Sequence, residues 1–250
     1  MIHTGRFLLA AITTATSWFA IFNRAASDEL ADAVTLYASF DEAVKADFGG
    51  GDLNLRTRVN HPTEKDRYVF EKGYPPFVFQ IAKDKGVRGG ALDCTDVLER
   101  RGRIFFPARG NIAFRAGGWG GAVSMWLNTD PNQLLKTPFC DPVQITAKSA
   151  HDGGIWIDFP DTKPRDMRMG IFRGLEEGEK PLQESDPQAA IVRMKNVPFK
   201  AGEWHHVVLT WNKFDTGKPD ARAELFVDGK RIGANSWSNG TEDTGPKDPE

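Results

Sequence analysis

The residues of this chain best suited to chemistry are the adjacent His205 and His206, the cysteines Cys94 and Cys140, and tryptophans set among polar side chains. Each limits what it can do. Neighbouring residues on a strand point to opposite faces, so His205 and His206 cannot ligate one ion through their side chains without distortion. Two cysteines with no C-x-x-C or H-E-x-x-H companion do not make a zinc site. In an oxidising compartment Cys94 and Cys140 would pair and close a long loop, whereas in a reduced protein they would serve as buried free thiols.

Strand alternation decides which of these side chains share a face. In Ala122–Asn128 the apolar Val123, Met125 and Leu127 oppose Ser124, Trp126 and Asn128. In Val143–Lys148 the apolar Val143, Ile145 and Ala147 oppose Gln144, Thr146 and Lys148. Ile155, Ile157 and Phe159 stand against Trp156 and Asp158, and Met167, Met169 and Ile171 against Arg168, Gly170 and Phe172. If these strands are neighbours, one sheet has an apolar inner face and an outer face of tryptophans bordered by hydrogen-bonding groups. Sugar recognition needs such a surface, a stacking platform with a polar rim. Trp126, Gln144, Trp156, Asp158 and Arg168 then line a groove, with His206 at its margin. In the competing arrangement an insertion loop, such as Gly174–Pro198, covers Trp126 and Trp156 as a secondary core.

The elements that must position these residues are strands and turns. Val207, Leu209 and Trp211 alternate with His206, Val208 and Thr210, and Asp228-Gly229 is the two-residue type I′ hairpin signal. That turn predicts Val227 opposite Lys230 and Leu225 opposite Ile232. Further strands are expected at Val34–Phe40, Leu53–Val59, around Phe77, Phe79 and Ile81, and at Arg103–Phe106, with His61–Lys72 a polar loop.

The run W-H-H-V at 204–207 with V-D-G-K at 227–230 resembles the laminin G-like, concanavalin A-type lectin/glucanase domain. L-Y-A-S-F-D-E (36–42), G-V-R-G-G-A-L-D (86–93), G-A-V-S-M-W-L-N (121–128) and G-G-I-W-I-D-F (153–159) resemble further family strands and occur in the family order. The resemblance implies an all-β jelly-roll sandwich of two antiparallel sheets over residues 34–235, with polysaccharide held on the concave face. The same fold hosts lectins, adhesion modules, glycosidases and lyases, so it does not select an activity. The E-x-D-x-x-E strand of the glucanases, which brings two carboxylates to one face, is absent. Gln144-Ile145-Thr146 lacks the histidine of the lyases' Q-I-H strand. Calcium is common in the family, and Asp158, Asp161 and Asp166 form the loop set open to it. The D-x-D-x-D-G loop is missing, and solvation is the competing reading of an acidic loop. The family's closing strand has no counterpart in Asn235–Glu250. Residues 236–250 read as a polar tail, so that either the domain is truncated before that strand, the favoured reading, or the strand is absent.

With 250 residues, 40% hydrophobic content and a net charge of −2, the chain suits one large sandwich. Nothing in that charge suggests nucleic acid or an anionic membrane as partner. Residues 1–33 read as an export signal: Arg6, the apolar Phe7–Phe22, then Ala31-Asp32-Ala33 ahead of Val34. The expected protein is an exported, non-catalytic module binding a polysaccharide or cell-surface glycan. A polysaccharide-active enzyme using the same groove, or a protein–protein interaction module, is the alternative. A reporter fused to residues 1–33 is expected to leave the cytoplasm, with the mature N-terminus near Val34 by N-terminal sequencing; a reporter retained inside the cell would contradict this.

Overall fold

The computed structural model describes residues 29–60, 63, 68–72, 79–94, 103–146, 149–172, 174–183, 189, 191–218 and 220–236. Residues 1–28 of the expected leader and 237–250 of the expected tail lie outside these. The chain is 42% strand and 2% helix, with every sheet antiparallel, so it is all-β as expected. No described helix is long and apolar enough to cross a membrane.

The first seven strands are short: β1 (Leu36–Tyr37), β2 (Phe48–Gly49), β3 (Arg56–Asn60), β4 (Tyr68–Lys72), β5 (Gln80–Ala82), β6 (Ala91–Asp93) and β7 (Arg103–Phe105). They form three small sheets, ordered β1-β2, β4-β3-β7 and β5-β6. Buried Asn111 braces their loops: its Oδ1 accepts from the Gly51 N–H, and its Nδ2 donates to the carbonyls of Asp52 and Pro107. Part of the expected polar loop 61–72 is strand β4.

The remaining strands build a jelly-roll-type sandwich. They are β8 (Trp119–Leu127), β9 (Cys140–Ile145), β10 (Ile155–Phe159), β11 (Met167–Ile171), β12 (Ile191–Met194), β13 (His205–Phe214), β14 (Arg222–Val227) and β15 (Lys230–Ser236). One sheet, the front sheet, runs β15-β14-β13-β8; the back sheet runs β12-β11-β10-β9. The chain therefore leaves the front sheet after β8, completes the back sheet, and returns at β13. The two inner faces meet in one core of Ile155, Ile157, Phe159, Met167, Met169 and Ile171 against Val207, Leu209, Leu225 and Val227. Ile155, Ile157, Phe159, Met167, Met169 and Ile171 are the residues of these two strands that period-two alternation assigned to the apolar inner face. Trp119, Trp211, Phe114 and Phe214 close one end of this core through edge-on contacts.

The sheets approach closely where β12 faces β15: a Cβ on Gly233 would stand 2.8 Å from Val192. Strand β12 was expected to be part of an insertion loop, because its four residues are too few to show a period. It is instead the edge strand of the back sheet, with Val192 in the core.

The hairpin turn has φ of 49° at Asp228 and 75° at Gly229, as a type I′ turn requires. Val227 faces Lys230 as expected, but an irregularity between Leu225 and Phe226 pairs Leu225 with Gly233 rather than Ile232. An added residue in one strand shifts every pair beyond it, and no sequence pattern announced it. Replacing Gly229 by Val forces a β-branched residue to positive φ and is expected to cost about 1–2 kcal/mol in denaturant unfolding; unchanged stability would contradict the turn.

Candidate functional site

Strand β8 pairs with β13, and the register sets Trp126 directly opposite His206. Both side chains point away from the core, since Val207 and Met125 face it. The rings stack with centroids 4.8 Å apart and planes 23° from parallel. Two residues back on β8, Ser124 shares that face, and its hydroxyl lies 2.8 Å from His206 Nε2. One imidazole is thus held by two side chains of the neighbouring strand. Trp126 remains 48% exposed, so the stack fixes the indole without hiding it.

The adjacent histidine does different work. His205 turns to the opposite side, where its ring lies flat on Phe199 at 3.9 Å and 6°. Its Nδ1 is 2.8 Å from Asp228 Oδ2, while Asp228 Oδ1 accepts from the His206 N–H. The Asp228 N–H donates in turn to the His206 carbonyl. The two histidines therefore serve two faces, as strand geometry requires. The His205 hydrogen bond, followed by that from the His206 backbone, holds the Asp228 carboxyl below its ordinary value. The sign follows from that direction. The clamp's contribution is complete above about pH 4, the usual aspartate range, and is lost as pH falls through the lower folded value.

Further along the front face, Glu224 accepts from both Arg222 and Arg231, which keeps it ionised. Val208, Thr210 and Phe226 fill the positions between it and the stack.

The other four expected site residues lie on the other sheet. Trp156 pairs with Gln144 and Gly170, and Asp158 pairs with Arg168, on the outer face of the back sheet. The expectation of one groove lined by Trp126, Gln144, Trp156, Asp158 and Arg168 with His206 at its margin is therefore corrected. Trp126 and His206 belong to the front sheet, and the two groups sit on opposite outsides of the sandwich. Alternation shows which way a side chain points, but not which sheet carries its strand.

The back-sheet group is also covered. Trp156 is 3% exposed, Asp158 5% and Arg168 2%. The Trp156 indole lies over Gly170, where a Cβ would come within 2.1 Å of the ring, and its Nε1 donates to the Ala150 carbonyl. Phe172 stacks on it at 6.1 Å, with His151 against Phe172. Arg168 donates from Nε and Nη2 to the two oxygens of Asp158, and its guanidinium rests 5.5 Å from the Trp156 ring and 6.0 Å from Phe139. Trp156 is thus covered, as the arrangement competing with the groove supposed, but by residues outside Gly174–Pro198, and Trp126 is not covered.

Two of the three aspartates of the expected calcium loop are engaged separately, and Asp161 is exposed. Asp158 is spent on Arg168, and Asp166 accepts from Arg193 and from the Asn196 N–H. Among the described residues no three His, Cys, Asp or Glu gather as a metal ion requires. Cys94 and Cys140 are free thiols, so the expected bridge is not formed. Sequence reasoning also missed Arg165, which is 2% exposed and donates to the carbonyls of Leu135, Thr137, Pro138, Phe159 and Pro160. Through its two terminal nitrogens it ties the 132–139 loop to the end of β10, while its buried Nε has no partner, and an arginine paired with carbonyls leaves no charge pattern to find.

No family model and no curated protein matches this chain. A likeness exists to the crystal structure of an endo-β-1,4-glucuronan lyase from the fungus Trichoderma reesei. It has 13% identity and a TM-score of 0.32, and it covers 82% of this chain and 67% of that one. A superposition this loose defines no shared site.

Trp156→Ala removes a buried indole and is expected to cost about 3–5 kcal/mol in chemical denaturation. A loss below about 1 kcal/mol would show that the ring is not part of a core.

Proposed function

We propose that this protein is an exported, non-catalytic module that binds a polysaccharide or cell-surface glycan on the outer face of the front sheet. One observation supports the reading above the others: Trp126 is half-exposed and held flat by the His206 ring. A pyranose presents a face of C–H groups that stacks on an aromatic ring, and a ring already immobilised loses little entropy on binding. Ser124 borders the platform with a hydroxyl, and Thr210 adds another further along β13, to meet sugar hydroxyls. An isolated indole on a monomer surface needs no function. One clamped by a stacked, hydrogen-bonded imidazole has the form of a binding group.

Binding without turnover is favoured by the state of the acid on this face. Glycosidases need two carboxylates placed about 5–10 Å apart. Among the described residues of the four front strands the acid is Glu224, and it is engaged by two arginines. The proposed mechanism is therefore capture alone: the sugar ring settles on Trp126, and neighbouring residues orient it.

The purified protein is expected to be retained by at least one member of a polysaccharide panel without releasing reducing ends or unsaturated products. Trp126→Ala is expected to weaken that retention about tenfold or more, with the melting temperature unchanged within a few degrees. Products would replace this reading with the enzyme, and a Trp126→Ala protein that still binds would move the site elsewhere.

A further inference from the structure

Four strands edge the sandwich, and three of them carry features that block addition of another strand. Strand β9 contains Asp141 and Pro142, β12 contains Arg193, and β15 begins Lys230-Arg231 with an irregularity in its pairing. Charges, prolines and bulges are what natural sheets use to keep edges from pairing with other chains. Strand β8 carries neither a charge nor a proline. It reads W-G-G-A-V-S-M-W-L over nine residues, and its register shift against β13 lies at the Trp119 end. Among the described residues its sheet neighbour is β13 alone, which leaves half of its backbone N–H and C=O groups directed away from the sheet.

The side chains tell the same story. Val123, Met125 and Leu127 face the core but are only half-buried, whereas Val207 and Leu209 beside them on β13 are fully buried. The apolar layer thus thins out at this edge.

We infer that β8 is a self-association edge, on which a second copy of this chain adds its own β8 antiparallel about a two-fold axis at Val123. The sequence of β8 is complementary to itself in that register. Gly120 comes opposite Trp126 of the partner subunit, so the largest outward side chain meets the smallest. Ala122 comes opposite Ser124 of the partner subunit, and Val123 meets its own copy on the inner face. A two-fold contact must be self-complementary in this way, with each pair occurring twice. The front sheets then form one continuous eight-stranded sheet. The two Trp126 rings lie on the same face, six residues apart along the strand direction, which is about 20 Å at strand spacing.

Sedimentation of the full chain at tens of micromolar tests this, using Ala122→Lys and Ala122→Glu. Ala122 is exposed on the outer face, so both variants keep the fold, which melting temperatures verify. The two copies of position 122 are diagonal neighbours across the new pair, within reach of long side chains. The unsubstituted chain is expected to be dimeric and each variant at least tenfold weaker in association. An equimolar mixture of the two variants should recover the dimer. A monomeric unsubstituted chain, variants that dimerise undiminished, or a mixture that stays monomeric would each overturn the inference, the first leaving β8 to a strand from another source.

Discussion

The rest of this molecule depends on the apolar layer shared by the two sheets. Ile155, Ile157, Met167 and Met169 from one side meet Val207, Leu209 and Leu225 from the other, and all are essentially without solvent contact. Because side chains alternate along a strand, burying this set dictates the complementary set that must point outward. Trp126, His206, Trp156, Asp158 and Arg168 all face outward for that reason alone. A one-residue slip in any of these strands would exchange the two sets, so the core fixes the address of every candidate site residue.

The outward residues then meet opposite fates. On the back sheet, loops and aromatic rings close over them, and an ion pair finds itself in a dry place. Arg168 and Asp158 are tolerated there because both carboxylate oxygens are paired and the guanidinium has aromatic faces beside it. Such a pair is worth little against an apolar replacement, but either partner alone would be an uncompensated buried charge. On the front sheet the Trp126 ring, with the His206 imidazole stacked on it, keeps about half its surface in water. Two tryptophans with the same sequence surroundings, each between an apolar residue on either side, thus become core in one case and surface in the other.

This difference marks how far the sequence could be read. Local patterns identified β10 to the residue, placed β11 within one, found β13 while stopping three residues short of its end, and named the type I′ turn, because each is a short-range matter of period and permitted φ. The faces of β8, β9, β10 and β11 were also legible. The partition of strands between sheets was not, since it depends on long connections whose direction no local pattern records. Strand β12 was hidden by its brevity, and the shifted partner of Leu225 by a single extra residue. The cover over Trp156 and Arg168 draws on Phe139 beside the guanidinium and on Ala150, His151 and Phe172 beside the indole, which converge from three separate segments. Composition of a loop does not say where it will lie.

One small assembly has a wider meaning. Asp228 sits in the hairpin turn yet uses both carboxylate oxygens, and its own N–H, on the His205-His206 strand. The first of the paired histidines and the turn aspartate are thereby a single fastening between β13 and the β14–β15 hairpin, while the second histidine joins it through its backbone and leaves its side chain outside it. A mutation at His205 or Asp228 is therefore answerable to folding, and one at His206 to whatever the surface meets. The most recognisable string of letters in this chain is a buckle with one free end, and resemblance at the buckle carries news of architecture while the free end is where specificity can drift.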